Sequence, residues 1–206
     1  MTRHSIRNTS TRGDALRQML AQHAARIMID QGVDDFLLAK RKAAERLRVR
    51  DQSVLPSNAE IEAAVAEHHR LFHADTHETA LQQRRDTAWR LMQWLDAFSP
   101  RLVGSVLSGT ATTNSEISLH VFTDQPELVA LRLHDRNIDA KHAEKKLRYE
   151  AARQITYPSF KFFAGDFAVE VVVLADNDIR QAPLSPVDGK PMRRADLGEV
   201  ARLRLG

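Results

Sequence analysis

Apolar residues in the first 98 positions recur at the spacing of amphipathic helices. Leu20 and Ile27 belong to the first such stripe, which starts near Asp14 and stops at Gly32, after a loose Ser/Thr-rich tail. Ser57 has the spacing of a capping box with Glu60 and opens a third helix. The pattern therefore predicts four helices, beginning near residues 14, 34, 57 and 75, the last ending at residue 98.

After Pro100 the pattern changes to short runs rich in β-branched residues, which favour strands. Strands are predicted over residues 102–106, 117–122, 157–163 and 167–174, with one helix after Pro126 and another from Ala195. Residues 139–153 fit an edge strand or a helix equally well. We therefore expect an α+β protein, with an N-terminal helical region over residues 1–74 and a second domain over residues 75–206. That domain would hold a small mixed β-sheet and an extended C-terminal tail.

Composition narrows the class of protein. Hydrophobic residues make up 43% of the 206 positions and charged residues 28%, as in soluble globular proteins. The absence of cysteine excludes a disulfide scaffold, a cysteine nucleophile and a zinc ribbon. No apolar run approaches the ~20 residues of a membrane span, and no apolar segment follows the first Met as in a signal peptide. A cytoplasmic protein without membrane contact is expected.

Positive charge is concentrated at the beginning of the chain. Residues 1–50 carry 11 Lys and Arg against 5 Asp and Glu, although the whole chain has a net charge of only +3. Such helices could contact RNA or an acidic protein partner. They could equally be solvated surfaces, because no aromatic residues are interleaved with the basic ones.

One constellation of residues suggests chemistry on phosphates. Gly104 and Ser105 follow a predicted strand, where a glycine allows close backbone approach and a hydroxyl adds a donor at a helix start. Glu116 and Ser118 alternate along the next strand and therefore share a face. Glu170 is the single charge in the apolar strand 167–174. Carboxylates on neighbouring strands could hold divalent cations for attack on a phosphoryl group.

At these residues the sequence resembles the polymerase-beta-like nucleotidyltransferase superfamily, in its small bacterial form. The superfamily pattern is Gly-Ser, a spacer of about ten residues, two carboxylates flanking one apolar residue, and a third carboxylate on a later strand. Gly104, Ser105 and Glu116 match it, and the small residues 109–111 match the spacer. The resemblance covers about residues 76–175.

The resemblance implies a minimal nucleotidyltransferase-like domain that transfers a nucleoside monophosphate from a nucleoside triphosphate to an acceptor. Gly104 and Ser105 would bind the triphosphate, Glu116 and Glu170 would hold Mg²⁺, and Ser118 would complete the catalytic set. In the same strand, His120 shares the face of Glu116 and could be a substitute ligand, a phosphate contact or a structural residue.

The sequence departs from the superfamily pattern at the metal ligands. Ser118 stands where the second carboxylate is expected, and Glu116 stands where Asp is usual. A neutral hydroxyl cannot replace a charged ligand shared by two cations. We therefore expect a degenerate site with weakened or lost transfer activity. The alternative is a non-catalytic module that binds RNA or protein on the same fold.

Overall fold

The computed structural model describes residues 4–72, 74–150 and 152–205. This part of the chain forms two compact units. The first extends to Ala74 and includes residues 112–114 and 186–188, and the second contains the rest of the described chain from Asp75 onward. That these units are separate domains, as the sequence suggests, stays a prediction. Within the described residues, no helix has the length and hydropathy needed to cross a membrane.

Three helices build the first unit, and α1 packs against the other two. They are α1 (His4–Gln31), α2 (Phe36–Arg46) and α3 (Asn58–Phe72). Ala24, Ala39 and Ala43 are fully buried, and their small side chains allow the helix axes to approach closely. The predicted start of the first helix near residue 14 is wrong, because α1 begins at His4. Helix propagation from an established segment adds one hydrogen bond per residue, which explains how a polar stretch can extend it.

The second unit is built around a five-stranded mixed sheet in the order β1-β2-β5-β4-β3. Its strands are β1 (Arg101–Val103), β2 (Ile117–Phe122), β3 (Lys141–Arg148), β4 (Gln154–Ala164) and β5 (Phe167–Leu174). β2 and β5 are parallel, and the other neighbouring pairs are antiparallel. The α+β class and the mixed sheet predicted from the sequence are confirmed. The ambiguous segment 139–153 contains strand β3.

Helices contribute to the core of one sheet face. These helices are α4 (Ala74–Trp94), α6 (Pro126–His134) and α7 (Leu197–Leu203). Met92 of α4, Leu133 of α6 and Val200 of α7 share a hydrophobic core with Leu119 of β2 and Val171 of β5. Because side chains alternate along a strand, the residues between these apolar positions point to the opposite face. We call that opposite side the site face.

A glycine ends the first strand. The sequence predicts a strand over residues 102–106, but β1 ends at Val103 and a short helix, α5 (Gly104–Ser108), begins at the next residue. Gly104 has a φ of +74°, which lies in the left-handed region where a side chain is strained. The second half of that strand prediction is therefore wrong, since the backbone leaves the extended conformation at Gly104 and enters α5.

The C-terminal segment closes one edge of the sheet. Leu102 and Ala195 exchange two backbone hydrogen bonds of 2.9 Å on the side of β1 that faces away from β2. The last helix starts at Leu197 rather than at residue 195, because Asp196 accepts a hydrogen bond from the Glu199 amide in a capping box. The other edge of the sheet is the charged strand β3.

Candidate functional site

A row of polar residues crosses the site face at the level of Ser118. Ser118 of β2 is opposite Glu170 of β5, and Glu170 is opposite Lys161 of β4. Residues opposite one another on neighbouring strands point to the same face, so these three side chains are adjacent. Glu116 precedes the first residue of β2 and contributes its carboxylate to the same row through Lys161.

The ammonium group of Lys161 bridges the two predicted metal ligands. Its Nζ donates to the two carboxylate oxygens of Glu116 at 3.0 and 3.1 Å, and it lies 3.6 Å from Oε1 of Glu170. The structure thus brings Glu116 and Glu170 together around one cation, which is a lysine of the chain itself.

A second lysine pairs with the buried carboxylate. Lys145 donates from Nζ to Oε2 of Glu170 at 2.7 Å. Because β4 lies between β3 and β5, the Lys145 side chain must reach across β4. Only 2% of the Glu170 side chain is exposed, whereas 45% of Lys145 and 42% of Lys161 are exposed. Each carboxylate of the row therefore has an ammonium partner, and each ammonium also faces solvent.

Electrostatics keep the bridging lysine charged. Partial burial lowers the pKa of Lys161, but the Glu116 hydrogen bonds and the charges of Glu170 and Glu116 outweigh it and raise the pKa above its ordinary value. The row contains two glutamates and two lysines, so its formal charges cancel.

Gly104 and Ser118 are neighbours at one end of the row. A Cβ at Gly104 would lie 3.7 Å from the Ser118 hydroxyl oxygen. Ser105 follows at a half-buried position, and its carbonyl accepts hydrogen bonds from the amides of Gly109 and Thr110. The Gly-Ser turn thus opens beside the polar row, and Ser118 lies between the turn and Glu170.

A second row contains buried polar atoms. His120, Val172 and Ser159 lie opposite one another on β2, β5 and β4, next to the first row on the site face. His120 Nδ1 and Ser159 Oγ are buried and have no hydrogen-bond partner among the described residues. Burial, with the charges of Arg194 and Lys145, lowers the pKa of His120 to about 3, so its ring is neutral.

Sequence reasoning missed Lys145 and Lys161. Lys161 had a signal that could have been used, because it interrupts the apolar and aromatic residues of β4 with the period-two spacing of the site face. Lys145 lies in the segment whose secondary structure the sequence left open, so no face could be assigned to it.

The residues present do not fit the Mg²⁺ that the superfamily resemblance implies. Divalent cations need several oxygen ligands that are free to coordinate. Glu116 and Glu170 are already bound by lysines, and Ser118 adds only a neutral hydroxyl. Within the described residues, no group of three or more His, Cys, Asp or Glu side chains converges as a metal site.

Comparison by sequence finds no matching family model and no matching curated protein. Comparison by structure finds partial matches to solved structures. A cytoplasmic RNA terminal U-transferase matches at 21% identity and a TM-score of 0.33, over 45% of this chain and 28% of its own. Cid1, an RNA terminal uridylyl transferase, matches at 20% identity and a TM-score of 0.35, over 57% of this chain and 37% of its own.

The GLD-2/RNP-8 complex matches at 18% identity and a TM-score of 0.31, over 57% of this chain and 48% of its own. The chain therefore spans less than half the length of each of these three chains. The TM-scores of these three matches all lie below 0.5.

Proposed function

We propose that the second unit binds a nucleoside triphosphate on the site face and that its metal-dependent transfer activity is lost or greatly weakened. The observation that carries this proposal is the bridging of Glu116 and Glu170 by Lys161. Gly104 and Ser105 would contact the phosphates, since the turn is open beside the polar row and a glycine there leaves room for a phosphate oxygen.

Transfer of a nucleoside monophosphate requires an acceptor hydroxyl to attack the α-phosphorus while pyrophosphate leaves. Negative charge increases on the phosphate oxygens during that step, and stabilising it is usually the largest contribution of such a site. In this chain the carboxylates are neutralised by lysines, and Ser118 cannot supply a third charge. Binding without efficient transfer is the function that follows from this arrangement.

Titration calorimetry with ATP, GTP, CTP and UTP tests the binding half of the proposal. We expect heat from at least one nucleotide and a weaker response after Ser105→Ala. If none of the four nucleotides binds, the proposed function is wrong.

A transfer assay tests the other half. Labelled nucleoside triphosphates are incubated with an RNA primer and with Mg²⁺ or Mn²⁺, and the primer length is followed by gel electrophoresis. We expect no extension by the wild-type protein. Extension that disappears in Glu170→Gln would show that the site is a working transferase.

We further propose that the first unit contacts RNA. On α2, the fully buried Ala39 and Ala43 flank three consecutive basic residues, Lys40 to Lys42. One side of the helix therefore packs into the core, and the rest carries positive charge. Phosphate contacts release counterions, so RNA affinity should fall steeply with salt. Fluorescence anisotropy at two salt concentrations measures this, with Arg41→Gln as the variant. Salt-independent RNA binding would contradict the proposal, because contacts to phosphates depend on salt.

The cytoplasmic location expected from the sequence stays a prediction.

A further inference from the structure

Lys145 and Lys161 occupy the positions around the acidic pair where a cation would be needed. Lys161 Nζ lies within 3.6 Å of oxygens from both Glu116 and Glu170, and Lys145 Nζ lies 2.7 Å from the other oxygen of Glu170. In a metal-dependent site, the cation neutralises the carboxylates and also faces the phosphate. Here two fixed ammonium groups already supply the first of these roles.

The same ammonium groups are able to supply the second role. An ammonium carries three donors, and among the described residues Lys145 has a single carboxylate oxygen within salt-bridge distance. Both lysine side chains are more than 40% exposed, so part of each ammonium faces the open side of the row. A phosphate oxygen approaching from that side meets N–H donors whose positions the carboxylates have fixed.

Charge around the row favours an anion. The two carboxylates and two ammonium groups cancel, and Lys141 lies opposite Lys161 on the neighbouring strand. Arg194 also acts on His120, but its charge is balanced by the neighbouring Asp178. Among these groups Lys141 therefore leaves one positive charge in excess, which attracts a polyphosphate.

Two buried polar side chains lie beside the row on the site face. His120 Nδ1 and Ser159 Oγ have no hydrogen-bond partner among the described residues, although both are buried on the site face. An unpaired buried polar atom is costly, and the cost is recovered when a ligand or an ordered water bonds to it. The Lys145 side chain crosses β4 next to Ser159, so these atoms adjoin the ammonium groups.

We infer that this site binds the phosphates of its ligand through Lys145 and Lys161 and does not use a divalent cation. The inference rests on the proposed function, because it takes a triphosphate as the ligand. The shared chemistry is a chain of phosphates, which a nucleoside triphosphate or inorganic tripolyphosphate could provide.

Calorimetry on the full chain separates the possibilities. ATP and inorganic tripolyphosphate are titrated first with EDTA and then with excess Mg²⁺. We expect binding with EDTA, and we expect excess Mg²⁺ to weaken it several-fold, because Mg²⁺ removes negative charge from the phosphates. Tripolyphosphate binding as tight as ATP would assign the affinity to the phosphates, and tighter ATP binding would add a nucleoside contact. Either result supports the inference.

Two other outcomes count against it. Binding that requires Mg²⁺ overturns the inference and leaves the proposed function standing. If neither ligand binds and none of the other three nucleotides binds, the proposed function fails as well. The two failures are therefore distinguishable in one set of titrations.

Substitutions test the lysines directly. Lys161→Met should reduce the affinity for ATP in EDTA at least tenfold. Lys146→Met is the matched control. Lys146 is exposed on β3, and because side chains alternate along a strand, it points away from the site face to which its neighbour Lys145 points. An equal loss in both variants would overturn the assignment.

A second variant is expected to raise the affinity, which a misfolded protein would not do. Glu116→Gln removes one carboxylate from Lys161 and leaves the buried pair of Glu170 and Lys145 intact. The site then becomes more positive, so the affinity for ATP in EDTA should rise several-fold. Weaker binding by a folded Glu116→Gln protein would overturn the inference, because removing a negative charge beside Lys161 should not weaken a contact between an ammonium and a phosphate.

Discussion

Removing Lys145 should destabilise the second unit more than removing the carboxylate that it binds. Glu170 is 2% exposed, and Lys145 Nζ is its closest cation at 2.7 Å, with Lys161 Nζ at 3.6 Å. Lys145→Met keeps most of the aliphatic stem that crosses β4 and deletes only the charge. The variant therefore leaves a buried carboxylate that depends on the more distant lysine.

The expected loss in the free energy of unfolding follows from the burial of Glu170. Removing one partner of a buried ion pair costs about 3–5 kcal/mol, and Lys161 retains part of the interaction, so we expect a loss of about 2–3 kcal/mol for Lys145→Met. Glu170→Gln instead leaves two ammonium groups that are more than 40% exposed. Solvent screens them, and the expected loss is about 1 kcal/mol or less.

The assay must report on the second unit alone. Trp89 and Trp94 are the two tryptophans of the chain and both lie on α4 in that unit, so their fluorescence follows its unfolding. A loss of 2–3 kcal/mol corresponds to a fall of roughly 4–12 °C in Tm for a chain of this size.

The double variant Lys145→Met with Glu170→Gln should be more stable than Lys145→Met alone, because the buried charge is gone. If Glu170→Gln costs as much as Lys145→Met, the carboxylate does not depend on Lys145 and the reasoning about the site is wrong.

Three further predictions concern other parts of the structure. The pKa of His120 is lowered from 6.5 to about 3, so below pH 6.5 the unfolded chain binds a proton that the folded chain excludes. The free energy of unfolding should therefore fall by about 2 kcal/mol between pH 7 and pH 5, as measured by urea unfolding. It should fall less in His120→Asn. Burial raises the pKa of Tyr149, and burial together with the hydrogen bonds to Tyr149 and Asp178 raises the pKa of Tyr157. These are the two tyrosines of the sequence, so absorbance at 295 nm and pH 10.5 should show less phenolate in the folded protein than in the unfolded protein. Gly32→Ala should lower the midpoint temperature at which the first unit loses its helical circular dichroism signal, because Gly32 has a φ of +61° and a Cβ there would collide with Asn114. An unchanged midpoint would contradict the collision.

The helical part of the fold was largely readable from the sequence. Leu20 and Ile27 recur at helical spacing and are buried, and Gly32 follows the last residue of α1 with a positive φ. A stripe of buried side chains on one element has a period that does not depend on distant contacts. The start of α1 was not readable, since polar residues carry no such stripe.

The buried strands of the sheet could be predicted from the sequence, whereas the charged strand β3 could not. Glu170 interrupts an apolar run, and the structure places it buried in β5 beside β2. β3 is an edge strand rich in lysine, and its pairing depends on β4, which a local pattern does not reveal. The partner of Glu170 could therefore not be predicted, because Lys145 contributes to the site only by reaching across β4. The roles of Gly104 and Ser105 stay predictions.

The backbone hydrogen bonds between Leu102 and Ala195 have a consequence for folding kinetics. The first strand of the sheet is completed by a segment near the end of the chain, after every other strand has been synthesised. Contacts between residues so far apart in sequence form slowly, because a long loop must close first. Until then the outer edge of β1 presents an unpaired N–H and C=O at Leu102, and an open strand edge is a template for pairing with other chains. A chain truncated between β5 and Ala195 would therefore be more prone to aggregation than a chain that includes Ala195.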